Sequence, residues 1–187
     1  MGIQVVIYEL TREICINMDI RSMIREIPDW PKPGVSFKDI TPLMGDAEGF
    51  REVIDKLAEP YLNQKIDKVV GIDARGFIFA AALAYKLGAG LAIVRKKGKL
   101  PWKTIGADYA LEYAVNTIEM HEDAVLPGEK VLIVDDVLAT GGTMAAAVGL
   151  VKKLGGEITG IGFVIELSFL EGRKKLGDHK VYSLITY

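Results

Sequence analysis

After Asp46, the apolar residues Phe50, Val53, Ile54, Leu57 and Tyr61 recur at helical spacing. Asp46 suits an N-cap, so the pattern predicts an amphipathic helix that begins there. Residues 68–73 hold a short apolar run, Val-Val-Gly-Ile, framed by charges, which predicts a buried strand. Residues 77–87 are compatible with a helix that stops at Gly88. Residues 91–94 and 131–134 predict two further strands, the second entered through Pro127 and Gly128. Met144, Ala147, Val148, Val151 and Leu154 form the stripe of a second strong helix, with Gly155 as its stop. Residues 161–165 and 181–185 complete the strand set. Strands alternating with helices predict an α/β fold whose central sheet is mostly parallel and flanked by helices, in a single domain over residues 1–187.

The remaining stretches carry weaker patterns. Ile3, Val5 and Ile7 alternate like a short strand, and either Met1 or Met18 can serve as the start, which leaves residues 1–17 as an extension of unknown role. A capped-looking segment spans 19–27. Pro28, Pro31, Pro33 and Gly34 then exclude regular structure. From Gly98 to about Asp123 there are few structure signals, and a loop of that length in a compact domain is normally a lid.

Charge and composition narrow the chemistry. Lys plus Arg is 23 and Asp plus Glu is 25, a formal net charge of -2, so there is no overall attraction for nucleic acid or an anionic membrane. Cys15 is the one cysteine, which excludes an intramolecular disulfide, and His121 and His179 are far apart. A zinc site of Cys and His is therefore not expected, and a metal here would be a hard cation on oxygen ligands, namely magnesium. The longest apolar run, 77–85, is about half of a membrane span. A cytoplasmic location is the expectation.

In a parallel sheet, ligands bind in the loops at the carboxyl ends of the strands. That rule selects 73–76, 95–101 and 135–143. The last is the most informative: a buried strand reaches Asp135 and Asp136, and a turn of Ala139, Thr140, Gly141, Gly142 and Thr143 opens a helix. Two glycines let successive backbone N–H groups curl round an anion, and the helix N-terminus adds partial positive charge. Thr140 and Thr143 add hydroxyl donors suited to a phosphate monoester. Neither GxxxxGK[ST] nor GxGxxG occurs, so nucleoside-triphosphate and dinucleotide loops gain no support. A phosphate cradle directly after two carboxylates suits a phosphorylated sugar, whose hydroxyls, or a magnesium ion, the carboxylates would meet.

This run resembles the 5-phosphoribosyl-1-diphosphate motif of the type I phosphoribosyltransferases. Four further stretches are similar to the adenine-specific branch of that family. They are Pro33-Gly34-Val35-Ser36-Phe37-Lys38-Asp39-Ile40-Thr41-Pro42, Gly71-Ile72-Asp73-Ala74-Arg75-Gly76-Phe77, Arg95-Lys96-Lys97-Gly98-Lys99-Leu100-Pro101 and Tyr109-Ala110-Leu111-Glu112-Tyr113. The resemblance spans the chain from about Met18 onward. It implies a type I phosphoribosyltransferase-like fold with a small N-terminal hood over about 28–45 and a flexible lid over about 98–123. It also implies that the phosphoribosyl group passes to adenine, giving AMP and diphosphate in purine salvage, with magnesium as cofactor.

The resemblance assigns roles residue by residue. Asp135, Asp136, Ala139, Thr140, Gly141, Gly142 and Thr143 would hold the sugar phosphate. Asp73, Ala74 and Arg75 would meet the diphosphate, with magnesium held mainly by the substrate and a cis peptide placed, if one exists, between Asp73 and Ala74. Arg95 and Lys99 belong to a basic block that would also bind the substrate, and in the homodimers of this family part of that loop reaches the neighbour's site; Arg95 is the choice for this role. Glu112 corresponds to the general acid/base at the purine ring. Val35, Phe37 and Lys38, with Val137 as the opposite apolar wall, would form the adenine pocket. Backbone carbonyls there would accept from the exocyclic amine, and Phe37 would stack. Ala114 stands where Gly is common, and Lys38 where relatives use Arg or Lys. Another purine substrate, xanthine or a 6-oxopurine, is the alternative within the family, although no matching motif supplies the donor lysine a 6-oxo group needs. A non-catalytic regulator that senses the sugar diphosphate is the alternative outside it. Against that reading, Arg12, Arg21 and Arg25 are the only basic residues before Pro28, so no DNA-reading helix is expected.

Overall fold

The computed structural model describes residues 19–111 and 114–187. The short strand expected at Ile3–Ile7, the 1–17 extension and Glu112 lie outside the described residues. The chain divides into two compact units, one ending at Val53 and the other running from Ile54 to Tyr187.

In the first unit, Arg25–Ile27 (β1) pairs antiparallel with Phe37–Asp39 (β2). The proline-rich segment between them has no regular structure, as its breakers require. A short helix, Thr41–Gly45 (α1), follows, and Ala47–Ala58 (α2) begins where the apolar stripe predicts. Asp46 caps α2, its Oδ1 accepting from the Gly49 N–H at 2.8 Å.

The second unit is built on one sheet. Its strands are Lys68–Ile72 (β3), Gly90–Lys96 (β4), Thr104–Leu111 (β5), Ala114–His121 (β6), Lys130–Leu138 (β7), Glu157–Glu166 (β8) and Val181–Thr186 (β9). They lie in the order β5-β6-β4-β3-β7-β8-β9. β4, β3, β7, β8 and β9 run parallel, and β6 and β5 continue the sheet as antiparallel strands. Helix Gly76–Leu87 (α3) connects β3 to β4, and helix Gly142–Lys153 (α4) connects β7 to β8.

Strand alternation distributes the core. Val70, Ile72, Val131, Ile133, Ile161 and Phe163 are buried in one cluster with Met144, Ala147 and Val151 of α4. Gly71, one position out of phase, meets α3 instead: a Cβ added there would be 2.7 Å from the Ala80 Cβ. Val69, Leu132 and Val134 are equally buried, which is why these strands read as unbroken apolar runs. α3 ends at Gly88, whose φ of 66° suits the residue without a Cβ and whose N–H bonds back to the Ala84 and Tyr85 carbonyls.

Two elements differ from the sequence reading. Most of 98–123 is a hairpin: β5 and β6 pair along their full length, from Thr104 with His121 to Leu111 with Ala114. The signal is a period of two, with Ile105, Ala107 and Tyr109 packed on the core and Ile118 and Met120 buried in it. Thr104, Gly106, Asp108, Thr117 and Glu119 at the intervening positions make such a half-buried edge resemble a loop in composition. The predicted strand 131–134 also runs on to Leu138, so Asp135 and Asp136 stand on the strand itself.

Gly71→Ala tests the closeness of α3 to β3. The added methyl would meet the Ala80 Cβ, with the Gly76 carbonyl oxygen and Phe77 Cα both at 3.2 Å behind it. The substitution should cost about 1–3 kcal/mol by overpacking, read as a lower urea midpoint at unchanged slope. An unaltered midpoint would show that α3 can lift from the sheet freely.

Candidate functional site

The connections of the sheet diverge at its centre: β3 leads through α3 to β4 on one side, and β7 leads through α4 to β8 on the other. The carboxyl ends of β3 and β7 thus flank a topological switch point, where loops part and leave a crevice. Residues 73–76, the end of β4 and residues 135–143 converge on this edge.

After β3, the Asp73 N–H donates to the Val94 carbonyl at 2.9 Å, the peptide bond to Ala74 is cis, and α3 begins at Gly76. The position anticipated for a cis bond is the one where it occurs. Gly76 is needed for close approach, since a Cβ would stand 2.7 Å from Asp135 Oδ1. Arg75 donates through Nε to Asp136 Oδ2 across the switch point. The Arg75 side chain stays 45% exposed while that of Asp136 is 9% exposed.

The two adjacent carboxylates differ in environment. The Asp136 N–H donates to Asp135 Oδ1 at 2.9 Å. Burial, then the neighbouring Asp136 charge, push the Asp135 carboxyl well above its ordinary value, and the Arg75 guanidinium offsets only part of this. Asp135 is therefore the carboxyl that burial makes costly to ionise, while Asp136 carries the ion pair.

Beyond β7 the turn rises into α4. Gly141 takes φ 76°, and its carbonyl accepts from the Ala145 N–H at 2.9 Å. Ala139, Thr140, Gly141 and Thr143 line a cavity of about 80 Å³, together with Asp135 and Val137. Val137, expected as a wall of a purine pocket, therefore borders the phosphate-type loop. Gly142 is the first residue of α4.

Arg95 lies on β4, where its Nε donates to Asp73 Oδ2 and its Nη1 to the Lys99 carbonyl, both at 3.2 Å. The extended β4 aims it at the adjacent β3 loop of its own chain, where it pairs with Asp73. Gly98, at φ 76°, forms the turn after β4, and its N–H donates to Glu119 Oε2 of β6 at 2.9 Å. Lys96, Lys97 and Lys99 remain exposed around that turn.

Val35, Phe37 and Lys38 belong to the first unit. The Val35 carbonyl accepts from the Trp30 N–H at 3.1 Å. Phe37 meets Trp30 edge-on, with ring centroids 4.4 Å apart. Lys38 Nζ lies 2.6 Å from Glu26 Oε1. Trp30 was missed by sequence reasoning, and so was Gly76 as a contact of Asp135; the second arises from tertiary approach and has no local signature.

Asp135 sets a pH dependence whose sign is fixed. Its carboxyl is raised in the folded protein above the ordinary 3.8. The stabilisation from holding its proton is thus complete below that value and lost as pH rises through the folded value. Asp135→Asn keeps an acceptor at Oδ1 without the charge. Urea midpoints from about pH 4 to about pH 8 should show the variant gaining on the parent chain as pH increases. A variant that falls progressively behind would refute the burial argument.

A family model described as the phosphoribosyl transferase domain matches residues 43–185. An adenine phosphoribosyltransferase of Geobacter metallireducens is 59% identical over 169 residues, covering 90% of this chain and 99% of that protein. The solved adenine phosphoribosyltransferase of Thermoanaerobacter pseudethanolicus is 52% identical with a TM-score of 0.87, covering 90% of this chain and 98% of that one. The Saccharomyces cerevisiae adenine phosphoribosyltransferase, solved with adenine and an imino-altritol bisphosphate, is 39% identical with a TM-score of 0.84, covering 88% and 96%. With the switch-point crevice, the paired carboxylates and the glycine turn in place, these likenesses identify the family: the chain belongs to the phosphoribosyltransferases, within the adenine phosphoribosyltransferases.

Proposed function

We propose that this chain transfers the 5-phosphoribosyl group of 5-phospho-α-D-ribose 1-diphosphate to adenine, forming AMP and diphosphate in purine salvage. The observation that carries the reading is the turn 139–143 wrapped on a cavity beside Asp135 and Asp136 at the switch point. Backbone N–H groups there and the α4 N-terminus suit the 5-phosphate. Asp136, held by Arg75, suits the ribose hydroxyls as an acceptor. Arg75 and Arg95 bring guanidinium forks to the loop 73–76, where the diphosphate would displace the carboxylates they now hold.

Magnesium fits as a partner of the substrate rather than of the chain. Among the described residues no three His, Cys, Asp or Glu side chains gather to hold a metal ion. Asp135 is costly to ionise where it lies and Asp136 is held by Arg75, so most ligands would come from diphosphate oxygens, with Asp73, once released by Arg95, the nearest further acidic group of the loop. When bound, the cation neutralises charge on the departing diphosphate.

Glu112, which falls between Leu111 and Ala114 of the hairpin, is the proposed general acid/base at the purine ring. Val35, Phe37, Lys38 and Val137 are the proposed adenine contacts, and Lys99 a further diphosphate contact. A homodimer is supported by Ile78 and Tyr85, seven residues apart on α3 and both exposed, Tyr85 at 91%. Work in the cytoplasm is supported by the single cysteine, Cys15. Among the described residues no helix is long and apolar enough to cross a membrane.

The test is nucleotide formation from phosphoribosyl diphosphate and magnesium, with adenine, guanine, hypoxanthine and xanthine offered separately. AMP from adenine is the expected product, and preference for another base would discard the assignment of adenine. Asp136→Asn should raise KM for the sugar diphosphate at least about tenfold, the loss of one charged hydrogen-bond partner. Glu112→Ala should lower kcat on the order of 10²–10⁴-fold and change KM for adenine far less. An unchanged kcat would remove Glu112 from the mechanism.

A further inference from the structure

The carboxyl end of β8 carries a strap, residues 167–176, that none of the roles above uses. It is tightly built. The Leu167 N–H donates to the Leu138 carbonyl at 2.9 Å, and the Ser168 N–H to the Tyr187 carbonyl at 2.9 Å. Glu171 stands at φ 53° between two 3-10 turns, Ser168–Leu170 and Gly172–Leu176. Leu176 closes the strap by entering the main core cluster.

Arg173 binds the strap to the sheet. Its Nε donates to Glu166 Oε1 at 2.9 Å, its Nη2 to Oε2 of the same carboxylate, and its Nη1 to the Val181 carbonyl of β9 at 3.0 Å. Glu166 is 6% exposed. The carboxylate is buried while the Arg173 side chain stays 49% exposed, so the forked contact fixes the geometry of the strap more than it adds net stability.

That geometry presses Gly172 against the turn after β7. A Cβ on Gly172 would overlap the Ala139 carbonyl oxygen and stand 2.9 Å from the Gly141 backbone nitrogen. A Cβ on Gly141 would in turn overlap the Gly172 carbonyl oxygen. Two backbones touch here with no side chain between them. A trans peptide is planar, so its carbonyl and N–H point in opposite directions. With the Ala139 carbonyl facing Gly172, the Thr140 N–H faces away from the strap, and Gly172 is not among the residues that line the cavity.

We infer that the strap is a template for the turn 139–143: Gly172 is a positioning residue that orients the backbone donors of the phosphate site, and the Arg173–Glu166 fork holds Gly172 there. This inference rests on the reading of that turn as the 5-phosphate site. The test therefore uses two probes, ribose 5-phosphate for this turn and inorganic diphosphate with magnesium for the loop 73–76.

Calorimetric titration of Gly172→Ala should show affinity for ribose 5-phosphate reduced at least tenfold and affinity for diphosphate within twofold of the parent chain. In turnover, KM for the sugar diphosphate should rise more than kcat falls. If Gly172→Ala does not yield folded protein, Arg173→Lys carries the test, since it keeps the charge but loses the fork. It should weaken ribose 5-phosphate at least threefold and leave diphosphate unmoved. Unchanged affinity for ribose 5-phosphate in a folded variant overturns the inference, and so does equal weakening of both probes. A parent chain that binds diphosphate but no ribose 5-phosphate would overturn the phosphate reading itself.

Discussion

Arg75 and Asp136 meet across the gap between β3 and β7, and the rest of the site is arranged around that ion pair. Two consecutive carboxyl groups at the end of a buried strand repel one another and lose solvation together. The protein separates their roles by giving one a cation and burying the other, whose ionisation is thereby made costly. Arg75 can reach Asp136 because β3 and β7 are neighbours whose connections run opposite ways. Gly76 then lets Asp135 lie against the start of α3. Strand order, helix start and charge state are therefore parts of one arrangement.

The same logic extends to β4. Arg95 is held by Asp73, as Arg75 is by Asp136. In both cases a guanidinium suited to a diphosphate rests on an internal carboxylate. Such placeholders keep the cations aimed at the crevice at little cost in ordering when an anion exchanges with the carboxylate. They also limit net affinity, because each new contact replaces an existing one. Electrostatic selection here is a competition among acids.

Much of this was legible in the sequence, for identifiable reasons. The buried strands and both long helices of the second unit follow from apolar runs and stripes with glycine stops, which depend on local pattern alone. The turn from Asp135 to Thr143 is equally local, since glycines, threonines and acids must be consecutive to wrap an anion. The hairpin β5–β6 was hidden because only one face is buried, leaving Thr104, Asp108, Thr117 and Glu119 on the other, which reads as a loop unless alternation is counted. The aim of Arg95 was hidden because which strand lies beside β4 is a matter of topology. The roles of Gly76 and Gly172 depend on which atoms the fold brings within contact, and no spacing within the chain encodes that.

The switch point has a thermodynamic consequence. Its edge gathers segments from near residue 73, near 95, near 136 and near 172, separated along the chain by long stretches of sheet and helix. A molecule seated there closes large chain loops by non-covalent means, and it does so only in the folded state. Binding energy at this edge is thereby converted into resistance to unfolding of the whole second unit, growing as RT ln(1 + [L]/Kd) with free ligand. The melting temperature of the protein in a cell is then a record of how much of its substrate is present.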